Sequence, residues 1–119
     1  ATGRLNTLPH FERTMQRANL TSVVKAVVGD SPAIASKWNE SIGMLFIDGG
    51  HGRDVARNDY VAWTPHVAVG GTLAIHDVFS DPALGGQAPY EEIYLAAINS
   101  KNFVETSFTG SLRILQRVK

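Results

Sequence analysis

Residues that can bind a metal ion or move a proton follow two short apolar runs of the sequence. Asp48 and His51 come after the first run, and His76 and Asp77 come directly after the second. Carboxylate oxygens are the ligands that Mg²⁺ prefers, whereas an imidazole nitrogen also admits Mn²⁺, Fe²⁺ or Zn²⁺. An unperturbed histidine has a pKa of about 6.5, which suits removal of a proton from a substrate. These residue types therefore indicate a metal site, a general base or both.

Each of these residues also has a purely structural interpretation. A carboxylate after a strand can cap the next helix, which is worth about 0.5–2 kcal/mol, and a histidine at a helix start can simply face solvent. Their shared position favours a site, because open α/β sheets bind ligands beyond the carboxyl ends of their strands. Asp30, Asp48, His76 and Asp77 are all predicted to lie at such ends. We therefore predict a divalent-cation site formed by Asp48, His76 and Asp77.

The elements that would position these residues alternate between helical and strand patterns. Leu8, Phe11, Met15 and Ala18 recur at helical spacing, with Thr7 or Asn6 placed to cap the helix. Further helices are predicted near 31–38, with Ser31 as its cap, near 56–67, ended by Gly70 and Gly71, and near 90–100. Strands are predicted at 23–28, 44–47, 72–75, 103–108 and 112–117, with a loop over 79–89 and a hairpin turn at 109–111. This order predicts an α/β fold with a mostly parallel sheet and an antiparallel C-terminal hairpin.

Composition excludes several classes of protein. The 119 residues are enough for one small domain, and 11 basic residues balance 11 acidic ones, which disfavours nucleic acid or a membrane surface as a partner. The absence of cysteine excludes a disulfide scaffold and a thiolate zinc site, and it fits a cytoplasmic protein. The apolar runs are shorter than the roughly 20 residues needed to span a bilayer.

Two motifs in order resemble a known family. The first motif is Leu45-Phe46-Ile47-Asp48-Gly49-Gly50-His51, and the second is Ala74-Ile75-His76-Asp77-Val78. Between them lie Asp59, Trp63 and Gly70-Gly71. Together they resemble the class I S-adenosylmethionine-dependent methyltransferases that are grouped with the macrolide and sugar O-methyltransferases. Upstream, Val27-Val28-Gly29-Asp30-Ser31 is similar to the family's third strand and its adenine-side turn. The similarity covers most of the chain.

The resemblance implies a Rossmann-like sheet of seven strands in the spatial order 3-2-1-4-5-7-6. The strands predicted here correspond to the third through the seventh, so the family's first two strands are missing from this chain, together with the glycine-rich turn and the acidic residue that bind the cofactor. We expect residues 1–119 to be the C-terminal portion of a single methyltransferase domain. The alternatives are a strand supplied by another chain and a rearranged sheet. Without the missing strands, the strand at 23–28 would lack a ladder partner.

The resemblance also implies roles for the candidate residues. S-adenosylmethionine would contact Asp30, Ser31 and Asp48, and a divalent cation, Mg²⁺ or alternatively Mn²⁺, would bind Asp48, His76 and Asp77. His51 would be the catalytic base. His76 departs from the carboxylate that metal-dependent relatives carry at its position, which leaves the identity of the metal open. The implied acceptor is a hydroxyl of a sugar or glycosylated small molecule, and a homodimer is one expected assembly.

Other interpretations remain open from the sequence alone. The same Asp and His residues could serve a metal-dependent hydrolase or oxygenase, or the chain could be a non-catalytic remnant that mediates assembly. Asp59 is interpreted as structural, Trp38 and Trp63 as core residues, and His10 and His66 as surface or loop residues. Tyr90 and the loop at 79–89 are predicted to overhang the strand that ends at His76.

Overall fold

A computed structural model describes residues 7–49 and 52–119. Its helices are α1 (Leu8–Arg17), α2 (Ser31–Ser36), α3 (Arg53–Trp63), which runs into a 3₁₀ turn (Thr64–His66), and α4 (Leu95–Ser100), which continues a π-helical segment (Pro89–Tyr94). Its strands are β1 (Ile42–Ile47), β2 (Val67–Ile75), β3 (Phe103–Thr109) and β4 (Leu112–Arg117). Among the helices of these described ranges, none is long and apolar enough to cross a membrane.

The four strands form one mixed sheet in the order β1-β2-β4-β3. β1 pairs with β2 in parallel, and β4 is antiparallel to both β2 and β3. Three strands therefore run in one direction and β4 runs in the other, which confirms the predicted α/β sheet with a C-terminal hairpin. Gly110, with φ 56°, forms the hairpin turn, where a left-handed backbone favours glycine. The order also agrees with the fourth, fifth, seventh and sixth strands expected from the resemblance.

One face of the sheet carries the core. Leu73 and Ile75 of β2 and Leu115 of β4 are fully buried, and they form one cluster with Ile93 of the π-helical segment and Ala97 of α4. Alternate residues of a strand point to opposite faces, so the neighbours of these residues face the other way. On that second face Met44 is 62% exposed and Phe46 is 52% exposed. Ile93 and Ala97 therefore pack on the face of the sheet that Leu73 and Ile75 line.

The strand predicted at 23–28 does not form. These residues have no regular secondary structure, and Val23 and Val28 are 73% and 77% exposed. An apolar run becomes a strand only when a neighbouring strand satisfies its backbone groups, and within the described residues no strand pairs with this run. The prediction of a strand at 23–28 is therefore wrong for the described structure, because composition alone does not supply the hydrogen-bonded neighbour that a strand needs.

Two further predictions of local structure are wrong. Gly70 and Gly71 do not separate a helix from a strand but lie inside β2, and the helix before them ends at Trp63 rather than near Val67. The register with β1 shifts between Ile42 and Met44, so the glycines form an irregularity in the ladder. Gly71 is required there because a Cβ atom would lie 2.8 Å from a backbone carbonyl oxygen, that of Ala68.

Candidate functional site

The candidate metal ligands are positioned by the parallel pairing of β1 with β2. Ile47 and Ile75 are register partners at the last residues of the two strands. Both carboxyl ends therefore meet at the same edge of the sheet, where the chain continues into Asp48 and His76. The His76 amide still donates to the Ile47 carbonyl oxygen at 3.2 Å, so the ladder extends one residue beyond β2. Local sequence periodicity and strand pairing together bring the two segments into contact.

Asp48, His76 and Asp77 converge on one point. His76 Nδ1 lies 2.9 Å from Asp48 Oδ1 and 3.4 Å from Asp77 Oδ1. One ligand atom from each residue can be chosen so that all lie within 4.8 Å of one another. The side chains of Asp48 and His76 are 47% and 43% exposed and that of Asp77 is 25% exposed, so a small ion or a substrate can reach them. The structure thus brings together the three residues that the sequence predicted as ligands.

The turn that carries Asp77 has an unusual backbone. Asp77 adopts φ 58°, the left-handed conformation, although it bears a Cβ atom. The next residue, Val78, is buried and its amide donates to the Ser111 carbonyl oxygen of the C-terminal hairpin at 2.9 Å. Left-handed aspartate costs free energy and persists where neighbouring contacts hold it, as they often do at functional sites. This hydrogen bond therefore links the turn that carries Asp77 to the C-terminal hairpin.

The donor set fits a divalent cation. Two carboxylates and one imidazole supply both hard and borderline donors and leave other coordination positions for water or substrate. The two carboxylates carry the negative charge that such an ion requires. The three residues could equally orient a substrate hydroxyl through hydrogen bonds. A metal role for Asp48, His76 and Asp77 stays a prediction with a suitable geometry.

A groove of about 640 Å³ lies beside these residues, along the open edge of β1. Its walls include Asp48 and Gly49 from the strand end, Ser31 and Trp38 from the α2 region, and Asp59 and Trp63 from α3. The two tryptophans meet edge to face with ring centroids 5.6 Å apart. Trp38 is 36% exposed, so these aromatic residues line an opening and the prediction that they belong to the core is wrong.

Asp30 and Ser31 have structural partners that the sequence did not assign correctly. Asp30, not Ser31, caps α2, since its Oδ2 accepts from the Ala33 amide at 3.1 Å. Ser31 Oγ accepts a hydrogen bond from Trp63 Nε1 at 2.7 Å and lies in the wall of the groove. Ser31 and Asp48 therefore line the same groove, and Asp30 directly precedes Ser31 in the chain. Their contact with a cofactor stays a prediction.

His51, the predicted general base, lies outside the described residues, as does Gly50. The described chain resumes at Gly52, the N-cap residue of α3. The role of His51 stays a prediction from its place in the sequence, three residues after Asp48.

An ion-pair cluster that sequence reasoning did not identify anchors α3. Arg53 contacts both Glu91 and Glu92, and Arg57 Nε lies 3.1 Å from Glu92 Oε2. The hydrogen bond from Arg57, followed by the charges of both arginines, lowers the pKa of the Glu92 carboxyl even though burial opposes the shift. The cluster joins the first two turns of α3 to the π-helical segment. No local pattern indicates it, because its partners are 35 or more residues apart.

Comparison with known proteins decides the family. Residues 4–78, more than half of the chain, match the sequence family described as a methyltransferase domain. The chain belongs to this methyltransferase domain family. The matched stretch of the methyltransferase domain contains Asp30, Asp48, His51, His76 and Asp77, so every predicted site residue lies within the shared region.

Solved structures share the fold of the methyltransferase domain at low identity. A protein of Staphylococcus aureus assigned as a caffeoyl-CoA O-methyltransferase superposes with a TM-score of 0.75 at 13% identity, over 96% of this chain and 61% of that one. A protein of Clostridium thermocellum assigned as an rRNA methylase gives 0.68 at 10% identity, over 94% and 67%. The MycE methyltransferase of the mycinamycin biosynthetic pathway, solved with Mg, SAH and mycinamycin VI, gives 0.55 at 22% identity, over 78% and 31%. The chain thus spans less than two thirds of the first of these proteins.

Proposed function

We propose that this chain is part of an S-adenosylmethionine-dependent O-methyltransferase that uses a divalent cation. The observation that carries the proposal is the convergence of Asp48, His76 and Asp77 at adjacent strand ends, in a chain that belongs to the methyltransferase domain family. The groove beside them, with Ser31 in its wall, is the place where a bound cofactor would approach the cation site.

In the proposed reaction a hydroxyl oxygen of the acceptor attacks the methyl carbon of S-adenosylmethionine. The new bond is O–CH₃, and the bond from that carbon to sulfur breaks with its electron pair going to sulfur. The hydroxyl proton must leave as the oxygen attacks, and His51 is the proposed acceptor of that proton. A divalent cation, when bound, lowers the pKa of a coordinated hydroxyl and fixes its orientation.

The residues of this chain contribute position and charge to this step. Asp48 and Asp77 would hold the cation through carboxylate oxygens, and His76 would complete the set through a ring nitrogen. Asp30 would accept a hydrogen bond from the adenine amine. The acceptor is proposed to be a hydroxyl of a sugar or glycosylated small molecule, on the basis of the motif resemblance and of the fold shared with MycE, which was solved with Mg and mycinamycin VI.

Methyl transfer from labelled S-adenosylmethionine to a panel of sugar and glycoside acceptors tests the proposal in the natural protein. We expect EDTA to suppress transfer, Mg²⁺ or Mn²⁺ to restore it, and Asp77→Ala to behave like metal removal. His51→Ala should keep the affinity for metal and cofactor, lower turnover by about 10²–10⁴ as a lost general base does, and recover partly at higher pH. Activity that EDTA leaves unchanged would refute the metal role, and loss of metal binding in His51→Ala would make His51 a ligand.

A further inference from the structure

Asp59 makes a contact that its interpretation as a structural residue does not explain. It lies in the middle of α3, is half-buried, and shares the groove wall with Asp48 and Gly49. A Cβ atom added at Gly49 would lie 3.1 Å from Asp59 Oδ2, which is closer than ordinary van der Waals contact. The Asp59 carboxylate therefore lies against the backbone of the residue that directly follows the predicted ligand Asp48, and glycine at 49 permits this approach.

The helix that carries Asp59 is fixed on both sides of it. Toward the N-terminus, Arg53 and Arg57 form ion pairs with Glu92 of the π-helical segment. One turn after Asp59, the Trp63 indole donates to Ser31 at 2.7 Å. A side chain on such a helix has a fixed position relative to the sheet. It can therefore limit how far the Gly49 backbone moves toward the helix.

Within the part of the chain that the structure describes, no lysine, arginine or histidine lies in salt-bridge range of Asp59. The nearby Asp54 on the same helix, by contrast, is 89% exposed and pairs with Arg57 at 3.5 Å. Asp54 illustrates an acidic residue of α3 with only a surface role, and it provides a matched control.

We propose that Asp59 is a positioning residue that sets the place of Asp48 through its contact with the backbone of Gly49. Asp48 Oδ1 lies 2.9 Å from His76 Nδ1, and the two side chains must stay this close to bind one cation together. Shifts of about 1 Å at such a site are enough to cost function. The proposal rests on the proposed function for the role of Asp48 in metal binding, but the contact itself can be tested without metal.

The first test follows the His76 imidazole in the metal-free natural protein by nuclear magnetic resonance. Asp48→Ala defines the resonance of a His76 that has lost its partner. We expect Asp59→Ala and Gly49→Ala each to move the resonance toward that position, and we expect Asp59→Asn, which keeps the shape of the side chain, and Asp54→Ala to leave it unchanged. In the Asp59→Ala background, Gly49→Ala should add no further change, because the atom it would meet is gone.

A second test measures the affinity for Mn²⁺ of the same variants. Asp59→Ala should bind Mn²⁺ about tenfold more weakly, within the usual range for loss of a residue that supports a ligand, while Asp54→Ala binds as the wild type does. A His76 resonance that Asp59→Ala leaves at its wild-type position would overturn the positioning role. A wild-type protein that binds no Mn²⁺ would instead refute the metal site, and the resonance experiment would still decide whether Asp59 positions Asp48.

Discussion

The left-handed backbone of Asp77 leads to a prediction that separates stability from function. Replacing Asp77 by Gly or by Ala removes the same carboxylate, so both variants lose the same side-chain interactions. They differ in the backbone at φ 58°, where a Cβ atom costs about 1–2 kcal/mol and where glycine loses about 0.5–1 kcal/mol of additional chain entropy on folding. We therefore expect Asp77→Gly to have a free energy of unfolding about 0.5–1 kcal/mol higher than that of Asp77→Ala.

Urea unfolding of the two variants measures this difference, and Mn²⁺ titration measures the effect on the site. Both variants should lose affinity for Mn²⁺ to the same extent, by about 100-fold or more, since loss of a ligand should exceed the 10–100-fold cost of losing a supporting residue. Lys101 provides the control, because it also has a left-handed backbone, φ 64°, at the end of α4. Its Gly and Ala variants should show the same order of stability with no change in metal affinity.

Either of two results would contradict this prediction. If Asp77→Ala were as stable as Asp77→Gly while the Lys101 pair differed as expected, Asp77 would not be held in the left-handed conformation. If the two Asp77 variants bound Mn²⁺ as tightly as the wild type, the Asp77 carboxylate would not be a ligand.

Three further predictions concern other parts of the fold. Asp30→Ala should weaken S-adenosylmethionine binding by about 1–3 kcal/mol through one lost hydrogen bond. Asp30→Ser, which retains an N-cap, should show the same loss in calorimetry. A dissociation constant that neither variant changes would remove Asp30 from the cofactor site. Gly71→Ala should destabilise the protein by about 1–3 kcal/mol in urea unfolding, because its Cβ atom would meet a carbonyl oxygen at 2.8 Å, whereas Gly86→Ala has open space and should be nearly neutral. The Arg57 hydrogen bond lowers the pKa of Glu92 below its unfolded value, so the ion pair stabilises the fold at pH values above the ordinary glutamate range, and this contribution is lost as the pH falls through the lowered pKa. In thermal unfolding, the wild type should have a higher melting temperature than Glu92→Gln at neutral pH, and the two melting temperatures should be equal in strong acid.

The parts of the fold that the sequence predicts are those with strong local patterns. The apolar run that ends at Asp48, the run that ends at His76 and the C-terminal hairpin all appear as strands. The convergence of Asp48, His76 and Asp77 follows from one general rule, that parallel neighbours end at the same edge of the sheet. The sequence could therefore predict the candidate ligands, since each lies at the end of a strand with an unambiguous apolar pattern.

The parts that were not predicted depend on contacts between distant segments. Residues 23–28 have the composition of a strand, but strand formation needs a hydrogen-bonded neighbour, which composition does not reveal. Gly70 and Gly71 fit a helix end and a strand irregularity equally well, and only the register with β1 distinguishes them. The approach of Asp59 to Gly49 depends on where α3 packs, which the distant Arg57–Glu92 pair helps to set.

Calorimetric titration of the natural protein with S-adenosylmethionine, with and without Mg²⁺, measures both binding events that the proposed activity requires. We expect S-adenosylmethionine to bind, and we expect Mg²⁺ to bind the wild type but not Asp77→Ala, because the site needs both carboxylates near His76. His51→Ala should match the wild type in both titrations, since a general base contributes to turnover rather than to binding. Absence of S-adenosylmethionine binding by the natural protein would contradict the proposed methyltransferase activity, and equal Mg²⁺ binding by wild type and Asp77→Ala would contradict the proposed metal site.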